Sequence, residues 1–221
     1  MRIKNSAVLG DLACEQIKAM ILTREIKIGE RIQEQQIEQL LGMSRTPVRE
    51  AVRRLSNEGI VNLYPNRFAE VISFDDKSIR DLGMVRITMD CLAAQLAIQN
   101  GSNRDFDELQ ELSDKCEEAH NQGNLYEQIQ FDSQFHMKLV EICENAVLID
   151  IQKNIVLKTQ LLQTTLLEDT NSSVCDVRNH GTILKALYDR NLPEVLSAIK
   201  NHLCPFYHLE IEDIYPVLYK L

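Results

Sequence analysis

Gly42 and Pro47 stand five residues apart between two runs of helical periodicity, and together they fix where one helix stops and the next begins. Glycine tolerates the positive φ that ends a helix, whereas proline fits only a first turn, where its missing N–H loses nothing. Ile37, Leu40 and Leu41 give residues 33–41 an i, i+3, i+4 face that terminates at Gly42. Val48, Ala51, Val52 and Leu55 give residues 46–58 a second such face, with Ser44 or Thr46 as the capping hydroxyl. Upstream, Leu12, Ile17, Met20 and Ile21 predict a helix over 11–24. After Gly59, residues 60–72 hold two short β-prone runs around Pro65-Asn66, a hairpin pattern. Helix, helix, turn, helix and hairpin is the order of a winged helix-turn-helix.

The third helix is also unusually cationic for this chain. Arg45, Arg49, Arg53 and Arg54 against Glu50 give residues 44–54 a net charge of +3, while the whole chain carries −9. Dividing at Phe74 leaves 11 basic and 9 acidic residues in the first part, a net +2, and a net −11 in the remainder. Such segregation lets an acidic protein bind a polyanion, because phosphate contacts act within a screening length of about 8 to 10 Å. An N-terminal DNA-binding domain over residues 1–74 and a second domain over 75–221 follow.

That second part is helical throughout, with apolar periodicity in 78–99, 105–119, 124–144, 146–167, 174–189 and 193–209. The breaks between these runs are short and rich in Asn, Gly, Ser and Pro, so the expected fold is mainly α: a winged helix-turn-helix followed by an all-α six-helix bundle. Six scattered cysteines without a CxxC pair read as reduced packing residues, which points to the cytoplasm. No run reaches the roughly 18 apolar residues of a membrane span. A soluble cytoplasmic protein is expected.

Arginine near the start of a helix can lie along the major groove and pair bidentately with guanine, which contributes about 1 to 3 kcal/mol of base discrimination. Arg45 and Arg49 are one turn apart, and Ser44, Thr46 and the free N–H groups of the helix start suit phosphate oxygens. Arg31, Arg53 and the wing residues Asn66 and Arg67 extend the candidate surface. Arg31-Ile-Gln-Glu, Leu41-Gly-Met-Ser-Arg-Thr-Pro-Val-Arg-Glu-Ala-Val-Arg-Arg-Leu55 and Glu58-Gly-Ile-Val closely resemble the GntR family of bacterial transcription regulators. The resemblance implies that Arg45 and Arg49 read bases and that Ser44 and Thr46 hold phosphates. Gln35 stands where some members carry arginine, and Phe68 where the wing usually has glycine.

In the helical part, Asp132 and His136 are four residues apart on one helix, so both project from one face. His180 and His202 lie on two later helices, each followed by apolar positions, and a bundle can bring all four side chains to one interior point. Three imidazoles and a carboxylate suit a divalent metal, zinc first, with nickel and manganese as alternatives. His120 and His208 lack such spacing and read as core or surface residues. The segments Phe131-Asp-Ser-Gln-Phe-His136, Asn179-His-Gly-Thr-Ile183 and Asn201-His-Leu203 resemble the FCD effector domain of the FadR/VanR-like branch. The resemblance covers most of residues 76–205.

That resemblance implies a metal on Asp132, His136, His180 and His202, with a small carboxylate metabolite completing the coordination. It also implies that Arg86 lines the pocket, where a guanidinium can hold a carboxylate bidentately; a surface ion pair is the equal alternative for Arg86. The resulting expectation is a homodimeric regulator, read as a repressor, that binds a two-fold symmetric DNA operator and senses a small organic acid. Two rivals stand beside it. One is a metal-dependent hydrolase, for which the chain offers no HExxH and no separate general base; the other is a DNA-binding regulator whose metal is purely structural. The role of residues 205–221 is left open.

Overall fold

The computed structural model describes residues 2–65, 67–166 and 180–218. The chain divides into two compact units, Met1–Ser73 and Phe74–Leu221.

In the first unit, α1 (Arg2–Leu22) packs on α3 (Arg45–Asn57) through the buried positions Ala13, Cys14, Ile17 and Ile21. Helix α2 (Glu34–Leu41) stops at Gly42, whose φ of 61° lets its N–H and that of Met43 return to carbonyls in the last turn. Ser44 is the N-cap of α3, with extended backbone angles, but its hydroxyl makes no capping bond. Pro47 takes the third helical position and has no N–H, which removes one of the two donors such a hydroxyl can use. Strands β1 (Val61–Tyr64) and β2 (Phe68–Val71) pair antiparallel, with Tyr64 opposite Phe68 and Asn62 opposite Glu70. Arg31 bridges to Glu70 on the far side of β2, flanked by bonds from Ile32 N–H to Ala69 O (2.9 Å) and from Val71 N–H to Glu30 O (3.0 Å). The hairpin is therefore tied to the segment that leads into α2.

The second unit begins with α4 (Asp76–Asn100), whose start is fixed by a capping box between Asp75 and Ser78. Helix α5 (Asn103–Asn121) repeats the device with Ser102 and Asp105. Then come α6 (Leu125–Ile142), α7 (Ala146–Leu166), α8 (His180–Tyr188) and α9 (Leu192–Leu203). Their shared core holds Phe106, Leu109, Phe135, Leu139, Leu162, Ile183, Leu187 and Ile199. Each such side chain contributes about 1.5 to 3 kcal/mol by leaving water. The part of the expected 174–189 helix that precedes His180 lies outside the described residues.

The end of the chain departs from expectation. A helix over 193–209 is predicted, but α9 stops at Leu203 and a 3-10 turn, Pro205–Tyr207, follows. Pro205 supplies no N–H, and His208 adopts a φ of 53° that turns the backbone away from the helix axis. A further helix, α10 (Ile211–Leu218), then packs on α4. Phe206, Tyr207, Leu209 and Ile214 are buried by this arrangement, and Arg80 of α4 fastens it through the His208 carbonyl and Asp213 (2.9 Å to the carboxylate).

Candidate nucleic-acid interface and candidate metal centre

Helix α3 sorts its side chains by face. Pro47, Val48, Ala51, Val52 and Leu55 are buried, while Arg45, Thr46, Arg49 and Arg53 are exposed. A groove between α3 and the wing is lined by Arg31, Glu34, Arg45, Arg49, Arg53, Tyr64, Arg67 and Phe68. Five guanidinium groups around one concave surface make a strongly cationic trough, relieved only by Glu34 among its charged lining residues, 3.8 Å from Arg49 Nε. The Ser44 hydroxyl, which makes no capping bond, is exposed at the same helix end. Arg54 is different: it pairs with Asp11 of α1 and so belongs to the packing of α1 on α3. Asn66 lies outside the described residues.

In the helical unit, Asp132, His136, His180 and His202 meet, with one ligand atom from each all within 4.8 Å of one another. All four residues are buried. His136 Nε2 lies 3.2 Å from His202 Nε2, and Asp132 Oδ1 lies 3.3 Å from His180 Nε2 and 3.8 Å from His136 Nε2. A tetrahedral zinc site with bonds of about 2.0 to 2.1 Å sets its ligand atoms roughly 3.3 Å apart, so the cluster has the right size. Asp132 Oδ1 and both ring nitrogens of His180 are buried without a hydrogen-bond partner of acceptable alignment. Buried polar atoms are rarely left so, and a cation among them would satisfy the arrangement.

The electrostatics agree with that requirement. Burial pushes His180 and His202 below the ordinary histidine range; for His202 the neighbouring His180 and His136 add to the effect, while for His180 the pull of Asp132 only partly offsets it. Both are therefore neutral imidazoles at pH 7, the form that donates to a metal. Burial alone would raise Asp132, but the closeness of His180 Nε2 (3.3 Å) and the electrostatic influence of His136 and His202 hold it well below the usual carboxylate range. An ionised carboxylate facing neutral imidazoles is a ready donor set for a divalent cation.

Arg86 is not on the surface, contrary to the ion-pair alternative raised by the sequence. It is 1% exposed, and it donates from Nε to Asp90 Oδ2 (3.0 Å) and from Nη1 to Thr159 Oγ1 (3.1 Å). Its Nη2 carries no hydrogen bond among the described residues. Asp90 is the hub that spacing alone did not reveal. Besides Arg86 it accepts from Gln152 Nε2 (2.9 Å), and its Oδ2 lies 2.8 Å from His136 Nδ1. Despite burial, the Arg86 guanidinium and, after it, the contact with His136 keep its carboxyl below the ordinary range. It thus joins the guanidinium to the histidine-aspartate cluster.

Helix α7 contributes a polar stripe on its buried face. Gln152 reaches Asp90, Thr159 reaches Arg86 and Tyr207, and Gln163 Nε2 donates to Asp132 Oδ2 (2.9 Å). The spacing i, i+7, i+11 keeps all three on one face. The signal lay in the sequence as a repeat of amides and a hydroxyl among leucines. Tyr207, whose hydroxyl is 3.0 Å from Thr159 Oγ1, brings the C-terminal segment into the same network.

Fold and site geometry define a DNA-binding head followed by a helical domain with a buried polar centre. Residues 10–71 match the bacterial regulatory proteins of the gntR family, and residues 81–204 match the FCD domain. The chain belongs to the GntR family of transcriptional regulators, with an N-terminal GntR helix-turn-helix and a C-terminal FCD domain. It is 26% identical over 204 residues to the uncharacterized HTH-type transcriptional regulator YdhC of Bacillus subtilis, spanning 92% of this chain and 89% of that protein. With the Nta operon transcriptional regulator of Aminobacter aminovorans it shares 28% over 188 residues, 83% of this chain and 86% of the relative. The fold is that of Escherichia coli McbR/YncC, with a TM-score of 0.77 and 21% identity over 96% of this chain and 97% of that one. Members of this family are regulators, not enzymes, which removes the hydrolase alternative. Among the described residues no helix is long and apolar enough to cross a membrane.

Proposed function

We propose that this regulator binds a two-fold symmetric operator as a homodimer, and that its FCD domain senses a small carboxylate through a divalent metal, zinc first, with nickel or manganese as alternatives. The observation that carries the sensing half is the buried pairing of one guanidinium with a three-histidine, one-aspartate cluster through Asp90. Asp132, His136, His180 and His202 would hold the metal, which when bound supplies an electrophilic point for an anionic oxygen. Arg86 keeps Nη2 for a ligand carboxylate, and the paired Asp90 keeps the guanidinium fixed in place.

On the DNA side, Arg45 and Arg49 read base edges, while Ser44, Thr46, Arg31, Arg53, Asn66 and Arg67 hold the backbone. Dimerisation is supported by apolar side chains left exposed on two helices that pack together, Val85 and Leu92 on α4 and Val147 and Ile151 on α7. Effector binding acts on DNA affinity by favouring one arrangement of the helical domain over another. Repression by operator occupancy is the reading adopted.

The experiment is a mobility-shift titration on a selected operator with metal-loaded protein and a panel of organic acids. An acid that changes the operator Kd for wild-type protein but not for Arg86→Ala supports the reading; no response to any acid rejects it. One observation favours a purely structural metal: Arg86 is already bonded to Asp90 and Thr159. Under that reading His180→Ala lowers the melting temperature and leaves every effector response unchanged.

A further inference from the structure

The wing of this chain carries an aromatic residue where it faces the arginine groove, and that ring has a cation on it. Arg31 Cζ lies 3.8 Å from the centroid of Phe68. The placement follows from the sheet. Ala69 and Val71 of β2 turn inward and are buried, so Phe68 and Glu70 share the outer face. Arg31 bridges to Glu70, which makes Phe68 its diagonal neighbour on that face, within reach of a long side chain. Tyr64, opposite Phe68 in the register, packs its ring against it at 4.5 Å between centroids and holds the ring in place.

A ring binds a cation through its π-face and uses none of its N–H donors. Among the described residues Arg31 makes no hydrogen bond and no ion pair, so all of its N–H groups are available. It lines the same groove as Arg45, Arg49 and Arg67. A long side chain held on a ring before DNA arrives has less rotamer freedom to lose on binding.

We propose that Phe68 is a positioning residue of the DNA interface: its ring carries the Arg31 guanidinium, and the wing engages a DNA phosphate through that guanidinium. The proposal rests on the reading of the groove as the DNA-binding face. It places on Phe68 a role in affinity that is independent of base sequence, and it leaves discrimination to Arg45 and Arg49.

The test is the salt dependence of full-length protein binding to a labelled duplex of mixed sequence, about 30 base pairs long, followed by fluorescence anisotropy between roughly 50 and 200 mM salt. Each phosphate contact contributes about 0.9 to the slope of log Kobs against log salt. Arg31→Ala and Phe68→Leu are each expected to reduce the slope by about 0.9 per subunit engaged. The double variant is expected to lose no more than either alone, and Phe68→Tyr, which keeps a π-face, to retain the wild-type slope. Additive losses in the double variant, or an unchanged slope for Phe68→Leu, would overturn the proposal. An unchanged slope for Arg31→Ala overturns it without altering Phe68, and so answers the case in which Phe68→Leu unfolds the head. Wild-type protein that shows no salt-dependent DNA binding would instead reject the DNA-binding reading of the groove.

Discussion

Replacing Gly83 by alanine tests whether the C-terminal segment is docked on the effector domain as the structure has it. A Cβ built at Gly83 falls 2.3 Å from Tyr207 Cβ, 2.4 Å from Tyr207 Cγ and 2.9 Å from Leu209 Cδ1, where ordinary contact is 3.4–4 Å. The nearest atoms belong to the root of the tyrosine side chain, so no rotamer change relieves the clash. The backbone of 205–209 has to move by about 1 Å or more. Overpacking of this kind costs typically about 1 to 3 kcal/mol. A shift of that size also breaks the 3.0 Å bond between Tyr207 Oη and Thr159 Oγ1, a loss of about 1 to 3 kcal/mol for a buried pair. Against this, alanine gains about 0.8 to 1 kcal/mol over glycine inside a helix. The balance is a destabilisation of about 1 to 5 kcal/mol, or roughly 2 to 20 °C in Tm for a unit of this size.

Thermal unfolding of the metal-free full-length protein, followed by circular dichroism, measures it. Gly181→Ala is the matched control, because a Cβ there meets nothing within 4 Å among the described residues; it should leave Tm unchanged or raise it. If Gly83→Ala is as stable as Gly181→Ala, residues 205–209 do not pack on α4 in solution and the link from Tyr207 to Arg86 is void.

Other consequences are checked as directly. Adding zinc to metal-free protein at about 100 times its Kd should raise stability by about 2.7 kcal/mol, and chelation should reverse it; a His180→Ala variant that still gains the full shift would place the metal elsewhere. Arg45→Ala should cost about 1 to 3 kcal/mol on the best operator and far less on mixed-sequence DNA, so equal losses on both would move Arg45 to phosphate. Arg54→Ala should leave the salt slope of DNA binding unchanged, since that guanidinium is held by Asp11; a reduced slope would show that it reaches DNA. Burial pushes the Cys91 thiol up to about 12 and the Cys204 thiol up to about 11, so alkylation at pH 8 should be at least about 100-fold slower at both than in unfolded protein; peptide mapping that finds them labelled at the unfolded rate would contradict the packing.

The DNA-binding head was legible because its determinants are local. Gly42, Pro47 and Gly59 impose backbone conformations on their own residues, and the apolar face of α3 is read from four positions within eight residues. What was not legible there is also instructive. Nothing in the spacing of Arg49, Arg53 and Arg54 says that the last of them turns to Asp11, because that pair is 43 residues apart and depends on how α1 packs. The cation on Phe68 needed the bridge between Arg31 and Glu70, a pairing absent from any local pattern.

The effector domain shows the same division at larger scale. Asp132 and His136 could be placed on one face of a helix from their spacing of four, and His180 and His202 joined them through the bundle. Spacing alone gave Asp90 less weight, because a carboxylate four residues after an arginine is most often a solvated helix pair; only the resemblance to the family, which commonly has glutamate there, pointed to a carboxylate that orients a ligating imidazole. Its importance comes from where α4 is buried: once Arg86 and Asp90 are both desolvated, each requires the other, and breaking such a pair typically costs about 3 to 5 kcal/mol. That dependence gives Asp90 two tasks with one side chain, holding Arg86 and facing His136. Under the proposed function, a ligand carboxylate that drew on Arg86 would therefore alter the partner of His136, and a metal that drew on His136 would alter the partner of Arg86. Reciprocity of this kind is what couples two binding events thermodynamically. Acid and metal should each bind more tightly, or each less tightly, in the presence of the other, and Asp90→Asn, which keeps the shape and removes the charge, is the substitution that should weaken that coupling.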